Sequence, residues 1–486
     1  MNPDLRKKIF RKFKSVIGEK NTRTLQYLPF RLYESVNRQP RMKVGNCEIV
    51  ADLGLFINGW IIEGNKAIRS IVIDTGTGDR IDLTDYLNRI PRLDIQRKYG
   101  LGEKLKPGFV CYVPLEKGTS VTTKRPFLVV ILEDGKKLTK RIKITKESSD
   151  PLTSIRKVLS AIPSPLPQKR KLFDRAYGPA IRSMWSLRAD KAVGGELVSY
   201  NSELAPNAPG VSLIIPIYGR YDFMEYQLSQ FVNDKEMAEH EIIYVIDDPR
   251  IKREVEIVSS TYEKLYGIAF KVLYLDKNTG FAGANNAGVL KANAPLILML
   301  NSDVMPGQSG WLGKLLRSSN GKVSDSIIGA RLLYEDDSIQ HDGMQYYSSP
   351  FVNNLWTNIH PAKGFPSNVI QVDSRLTEVE AVTGACILVS RANYESLGGL
   401  DEEYILGDYE DSDFCIRARK AGLNILMNRH VTLYHLERQS QSLVSSNRWK
   451  EELTYYNCWQ HTNKWDAEIH NLKSDLKERE LDVSAL

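Results

Sequence analysis

Cysteine is scarce in this chain, and what there is does not cluster. Five cysteines are spread over 486 residues, at positions 47, 111, 386, 415 and 458. None stands in a C-x-x-C pair, which argues against a disulfide framework and a structural zinc site and fits a reducing cytoplasm. Long apolar runs are missing too. Stretches such as 294–300 fall far short of the ~18–20 residues a membrane-spanning helix needs. No secretory-type apolar segment follows Met1. Neither sign of charge dominates, since 66 Lys and Arg against 59 Asp and Glu leave +7. So small a surplus permits an anionic partner without calling for nucleic acid. With 42% apolar and 26% charged residues, the composition is that of a globular chain able to bury a core. The length predicts about two to four domains.

What is present changes character along the chain. Residues 1–43 are basic. Between Met1 and Arg23, eight Lys and Arg face only Asp4 and Glu19. Leu5, Ile9, Phe13, Val16 and Ile17 recur at helical spacing, so 1–23 reads as a basic amphipathic helix. Such a helix suits contact with an anionic membrane surface, or docking on the protein's own body. Residues 44–147 read as a β-sandwich-like accessory domain. Short Val-, Ile- and Phe-rich runs are broken by turn signals at 75–78, 106–108 and Asp134-Gly135. Trp60 reads as core there rather than as a sugar platform. Residues 148–208, with their Pro163-Ser164-Pro165-Leu166-Pro167 joint, read as a helical and Pro-rich connector. Residues 441–486 read as a C-terminal helical segment.

Between them, 209–440 alternates strand and helix. Residues 211–217, 242–246, 270–275 and 296–300 are mostly apolar with no clear alternation, as strands buried on both faces require. The alternation predicts an α/β domain, with a mostly parallel sheet flanked by helices. In such sheets ligands sit beyond the carboxyl ends of the strands. Asp247-Asp248, the glycine-bearing loop 278–286 and Asn301-Ser302-Asp303 each follow a strand, so all three converge on one rim. Gly280, Gly283 and Gly288 lack G-x-G-x-x-G spacing, which removes a dinucleotide-binding reading. Alone, Asp247-Asp248-Pro249 and Asn301-Ser302-Asp303 would be plain turns, and Glu410-Asp411-Ser412-Asp413 a run of acids complementing a helix N-terminus.

Taken in order, several segments resemble an inverting family-2 glycosyltransferase with the nucleotide-sugar-binding (GT-A) fold, of the bacterial kind that builds surface polysaccharides, rhamnosyltransferases included. They are VSLIIPIY at 211–218, YVIDD at 244–248, NTGFAGANNAG at 278–288, LMLNSDV at 298–304, VTGACILV at 382–389, GGLD at 398–401, GDYEDSDFCIRARKAG at 407–422 and VTLYH at 431–435. About half the chain carries the likeness. It implies a divalent cation, Mn²⁺ or Mg²⁺, and a UDP- or dTDP-linked sugar donor. Asp247 or Asp248 would accept the pyrimidine N3–H, which uracil and thymine have and cytosine lacks. Pro216 and Tyr218 would hold the base and ribose, and Gly280, Gly283 and Asn285 would let backbone and amide approach the nucleotide. Asn301, Ser302 and Asp303 stand at the family's D-x-D metal motif, in the N-x-D form common among the resembled enzymes. Asp303 and His435 would be the metal's protein ligands. Thr383, Gly384, His341, Glu410 and Asp413 would line the donor sugar and acceptor. Arg331 and Arg417 are further candidates for the diphosphate or for structural pairing.

The resemblance makes Asp411 the general base, which a sugar hydroxyl needs before it can attack. The expected function is inverting, metal-dependent sugar transfer to a glycan hydroxyl in bacterial surface polysaccharide biosynthesis. The acceptor includes the lipid-linked case, and the site of action is the cytoplasm, at the inner face of the membrane if 1–23 binds it. Two other readings stand beside it. One is a catalytically silent nucleotide- or carbohydrate-binding protein that keeps the fold. The other is a nucleotidyltransferase, disfavoured because 216–220 lacks a glycine run.

Overall fold

The computed structural model describes residues 40–50, 53–63, 67–75, 80–102, 104–115, 126–146, 150–188, 195–319, 321–370, 376–436 and 448–484. The basic segment 1–23 and the stretch 437–447 lie outside them. Among the described residues no helix is long and apolar enough to cross a membrane. The chain divides into two compact units, residues 1–154 with 161–186, and residues 155–160 with 187–486.

In the first unit, β1 (Arg41–Val50), β2 (Gly54–Ile62), β3 (Ile68–Asp74), β4 (Arg80–Asp82), β5 (Asn88–Ile90), α1 (Leu93–Tyr99), β6 (Gly108–Pro114), β7 (Phe127–Leu132), β8 (Lys137–Arg141) and β9 (Thr145–Lys146) follow one another. They make two sheets, ordered β5-β6-β2-β1-β9 and β4-β3-β7-β8. Leu55 and Ile57 of β2, Phe109 and Cys111 of β6, Ile71 and Ile73 of β3, and Leu128 and Val130 of β7 share one core between the sheets. The sequence reading of this zone had no helix; α1 lies in it, with Ile95 against Trp60 and Ile62. Trp60 itself is buried. Helices α2 (Lys169–Leu172) and α3 (Gly178–Trp185) belong to this unit as well, with the Tyr177 ring 6.1 Å from Phe56 and the Ser183 hydroxyl 2.6 Å from that of Tyr112.

The second unit is built on an eleven-stranded sheet. Its strands are β10 (Gly195–Tyr200), β11 (Val211–Ile217), β12 (Glu241–Ile246), β13 (Phe270–Leu275), β14 (Leu296–Leu300), β15 (Val304–Pro306), β16 (Ser326–Leu333), β17 (Ile339–His341), β20 (Thr377–Glu378), β21 (Cys386–Ser390) and β22 (Asn424–His435), while β18 (Gln345–Ser349) and β19 (Leu355–Ile359) form a separate hairpin. Helices α4 (Phe223–Phe231), α5 (Lys252–Leu265), α6 (Gly280–Val289), α7 (Trp311–Ser318), α8 (Arg391–Ser396), α9 (Glu410–Lys420) and α10 (Arg448–Ser484) complete it.

The main order is β10-β13-β12-β11-β14-β21-β16-β22-β15. The sheet is mixed, a correction to the mostly parallel expectation. Strands β13, β12, β11 and β14 run parallel, but β21 enters antiparallel to β14, and β10 closes the opposite edge antiparallel to β13. The helix-after-strand rhythm that forces parallel pairing ends at β14, and the chain then turns directly into β15. Strand β10 comes from the stretch read as connector. The apolar run of β11 is used on both faces. Leu213, Ile215 and Ile217 pack with Met224, Leu228 and Phe231 of α4, whereas Ile214 packs with Ala282, Ala284 and Val289 of α6. Since β12 and β13 lie on one side of β11 and β14 on the other, the strand order reverses at β11. The ligand crevice of such a sheet opens beyond the ends of β11 and β14, where Tyr218 and Asn301 follow.

Candidate active site

One wall of the crevice is the turn Asn301-Ser302-Asp303 between β14 and β15. Asn301 N donates to Ala385 O at 3.0 Å, and Gln227 of α4 donates Nε2–H to the carbonyls of Asn301 and Val304, both at 3.0 Å. The pairing of β15 with β22 sets Val304 opposite His435. His435 Nε2 consequently lies 3.2 Å from Asp303 Oδ1, and 3.4 Å from Asn301 Nδ2. Gln340 of β17 fixes the imidazole. Its Nε2–H donates to His435 O at 3.0 Å, so its Oε1, 2.5 Å from Nδ1, accepts the ring proton there. The Nε2 lone pair is thereby turned toward Asp303, the orientation a metal-binding imidazole needs. Asn301 Oδ1 is buried and has no partner among the described residues. A carboxylate, an imidazole nitrogen and an idle amide oxygen form a donor set suited to a hard divalent cation. Among the described residues no group of three or more His, Cys, Asp or Glu is arranged to hold a metal ion by itself. A cation here would thus take its remaining ligands from outside the protein.

The facing wall is the N-terminus of α9. Asp411 is half-buried; its Oδ2 accepts Gly384 N–H at 2.9 Å and its Oδ1 the Ser412 N–H at 2.7 Å. Burial and the nearby Asp408 charge raise its pKa above the ordinary carboxylate value. A Cβ on Gly384 would come within 3.0 Å of the Phe281 ring, which would have to give way, and would sit at an ordinary 3.5 Å from Asp411 Cβ. Glu410 is buried, and its Oε2 has no partner among the described residues. Burial first, and then Asp411, drive its pKa well above the usual range. Of the two, Glu410 is the more readily protonated.

Asp413 is placed differently. Its Oδ1 accepts from Lys464 Nζ (2.6 Å), Trp465 Nε1 (2.7 Å) and Tyr404 OH (3.3 Å), and its Oδ2 from Arg417 Nε (2.7 Å). Oδ1 thus joins α9 to α10, and Oδ2 is held within α9 by Arg417. His341 is fully buried, accepts Thr383 N–H at 3.4 Å on Nε2, and its Nδ1 meets His360 Nδ1 at 3.0 Å. Burial first, with the neighbouring His360, His435 and Arg429, keeps it neutral. It holds Thr383 in place. Arg331 is buried in a 3.0 Å ion pair with Asp342, and Arg417 is tied to Asp413, so both are structural.

The base-side residues cluster at the ends of β11 and β12. Asp247 Oδ1 accepts from Thr279 N (2.6 Å) and Oγ1 (2.8 Å), and its Oδ2 from Gly280 N (2.9 Å). Burial outweighs these donors and pushes its carboxyl up to about 7. Asp247 is thus the clamp of the 278–286 loop. Asp248 is gripped by Arg250, whose Nε and Nη2 each lie 2.7 Å from its oxygens. The guanidinium covers the Tyr218 ring at 5.4 Å and bonds its hydroxyl at 3.1 Å. Pro216 lies past the last β14 pair of β11, half-buried. Gly280 has φ +75°, and a Cβ there would lie 2.8 Å from Leu406 Cα, so this loop presses on the segment leading to Glu410. Gly283 and Asn285 face into α6 packing rather than the crevice. A Cβ on Gly283 would lie 2.6 Å from that of Thr279, and Asn285 is fully buried, donating to Phe281 O at 2.9 Å.

The motifs therefore close into one ring. Asp303 meets His435, Gln340 joins His435 to β17, His341 of β17 takes Thr383, Gly384 takes Asp411, and Ala385 returns to Asn301. Gln227, Gln340 and the α10 residues were not singled out in the sequence. The one signal for the last is a set of polar side chains, Asn457, Gln460, His461 and Thr462, among the apolar positions of the helix.

Residues 212–397 match the family model described as Glycosyl transferase family 2. Over this segment the chain is similar to family-2 glycosyltransferases. Over 255 residues the chain is 23% identical to an O-antigen biosynthesis protein of Myxococcus xanthus, covering 51% of this chain and 19% of that protein. Over 181 residues it is 26% identical to a low-salt glycan biosynthesis hexosyltransferase of Haloferax volcanii, covering 36% of this chain and 55% of that protein. Among solved structures, GalNAc-T7 with UDP, GalNAc and Mn²⁺ is similar at 14% identity and a TM-score of 0.37, covering 47% of this chain and 44% of that one. The chain thus spans between about a fifth and about half of these relatives' lengths. The match ends at 397, so Asp411, His435 and α10 lie beyond the matched residues.

Proposed function

We propose that the protein transfers a sugar from a UDP- or dTDP-sugar to a hydroxyl of a glycan acceptor with inversion, in the assembly of a bacterial surface polysaccharide. The observation that supports this is the chain of contacts that links Asp411 through Gly384, Thr383 and His341 to Gln340 and the Asp303–His435 pair. Asp303, His435 and Asn301 would hold the divalent cation, which when bound neutralises charge on the leaving diphosphate. Asp411 takes the proton of the acceptor hydroxyl on Oδ1 or Oδ2. The freed oxygen forms its bond to the anomeric carbon as the bond from that carbon to the diphosphate breaks, and the nucleoside diphosphate leaves with the electron pair. Attack from the face opposite the leaving group inverts the anomeric centre. Thr383 and Gly384 border the donor sugar, and Asp248 with Tyr218 addresses the base. The β-sheet unit at 44–147 serves as an accessory module for acceptor binding or placement. The basic segment 1–23 motivates a lipid-linked acceptor and action at the inner face of the cytoplasmic membrane.

The test is a panel of UDP- and dTDP-sugars with Mn²⁺ and candidate acceptors, reading nucleotide release and the anomeric configuration of the product by NMR. Transfer with inversion supports the proposal. Retention of configuration sinks the in-line mechanism. Nucleotide binding without any turnover favours the silent binding protein, a reading that the missing first carboxylate, Asn301, also supports. Deleting 1–23 without loss of binding to anionic liposomes removes the membrane contact.

A further inference from the structure

We infer that Asn457 of α10 is a positioning residue, holding the 405–411 backbone in the one conformation that presents Asp411 to the crevice. The inference rests on the sugar-transfer reading of Asp411. The segment approaching the acidic pair is unusual. Leu406, Asp408 and Tyr409 have φ of 65°, 76° and 78°, and Gly407 has φ of 148°. Side chains other than glycine seldom adopt this region, and a run of them persists only where the surroundings over-determine it. The segment supplies little of that hold. Apart from Phe281 N–H donating to Leu406 O at 3.0 Å, the 405–408 stretch is fastened mainly from α10.

Asn457 is fully buried, and its amide is spent on this segment alone. Its Oδ1 accepts Ile405 N–H at 3.1 Å, and its Nδ2 donates to Ile405 O at 3.1 Å and to Gly407 O at 2.5 Å. The side-chain amide thus pairs with Ile405 as a neighbouring strand would, and captures the next carbonyl but one. One turn earlier, Thr454 donates Oγ1–H to Asp408 Oδ2 at 2.7 Å. One turn later, His461 Nε2 lies 3.1 Å from Ser412 Oγ. Thr454, Asn457 and His461 follow one face of α10 at helical spacing and match, in order, Asp408, Ile405–Gly407 and Ser412. Two residues past Gly407 the chain enters α9, so a rotation of these peptides swings Glu410 and Asp411 directly.

The experiment compares the full chain with Asn457→Ala, Asn457→Asp and Thr454→Val. Asn457→Asp keeps the acceptor and removes both donors. Hydrogen exchange by mass spectrometry should show peptides spanning 400–413 exchanging on the order of tenfold faster in both Asn457 variants, with β11–β14 as protected as before. Calorimetry should give a UDP affinity in Mn²⁺ within about twofold of the starting protein, while turnover falls on the order of a hundredfold, since misplacing a reacting group by about 1 Å costs that much. Thr454→Val should show the same pattern more weakly. Unchanged exchange at 400–413 overturns the inference. So does loss of affinity and turnover in equal measure, which marks general support of the fold. If Asn457→Ala does not fold, the other two variants decide. If the unaltered chain neither binds UDP nor turns over any donor, the sugar-transfer reading fails, and the exchange data still decide whether Asn457 fixes the segment.

Discussion

Two aspartates in the crevice look alike in the sequence and are made different by their neighbours. Asp411 accepts two backbone N–H bonds and keeps partial access to solvent, whereas Asp247 is sealed and spends both oxygens on Thr279 and Gly280. Asp411→Asn should therefore lower turnover by about 10²–10⁴-fold with nucleotide affinity retained, as expected for loss of a positioned base. Wild-type turnover in that variant would remove Asp411 from the role. A base works only when ionised, and burial raises this carboxyl. The acid limb of kcat/KM against pH should accordingly lie above the ordinary aspartate range, with activity lost as pH falls through it. Asp247→Ala, by contrast, orphans three donors and should cost about 2–4 kcal/mol in urea unfolding, at roughly 1 kcal/mol or more for each buried group left unpaired. Stability unchanged in that variant would show that the 278–286 loop does not depend on the clamp. The residue types at both sites were legible in the sequence. Their division of labour was not, because it depends on which backbone amides arrive from 279, 280 and 384.

Elements explain how Asp413 is placed. Successive residues of a helix advance about 100°, so Asp411 and Asp413 point to nearly opposite sides of α9. If Asp411 faces the crevice, Asp413 must face the packing side, where Lys464, Trp465 and Arg417 meet it. That much follows from the sequence once α9 is granted; the identity of its partners does not, since Lys464 lies in an element with no local link to α9. Asp413→Ala leaves Arg417 without its carboxylate and Lys464 with Asp401 alone, and should destabilise by about 3 kcal/mol. UDP affinity measured under native conditions should stay as it was. If the variant is instead stable and only acceptor KM rises, Asp413 contacts acceptor after all. The strands β11 to β14 were legible for the opposite reason. Burial on both faces writes an unbroken apolar run into the sequence itself, and the loops that follow inherit their place on the rim. The antiparallel half is less readable, because β16, β21 and β22 are joined by long excursions that carry no repeating rhythm.

At the scale of the molecule, the second unit extends well past the segment that matches the family. Helix α10 buries Tyr456, Cys458, Trp459, Trp465 and Ile469 against it, and Trp356 of the β18–β19 hairpin donates Nε1–H to Asp466 at 2.7 Å. Lys420 and Lys473 add ion pairs to Glu468 and Glu380. The periodicity of 447–464 announces a helix, yet says nothing of what it covers. Each fully buried large apolar side chain stabilises by roughly 1.5–3 kcal/mol, and a whole domain holds only about 5–15 kcal/mol in reserve. Five such side chains, with Asp413 and the 405–409 segment left unsupported as well, exceed that reserve. A chain ending at residue 436 should therefore lose its cooperative melting transition or accumulate as aggregate, even though it retains all of 212–397 and the Asp303–His435 pair. Differential scanning calorimetry of the shortened and full chains checks this. A soluble product that still melts cooperatively near the full-length temperature would show that α10 is dispensable to the fold. The matched family segment would then not need this late helix to stand.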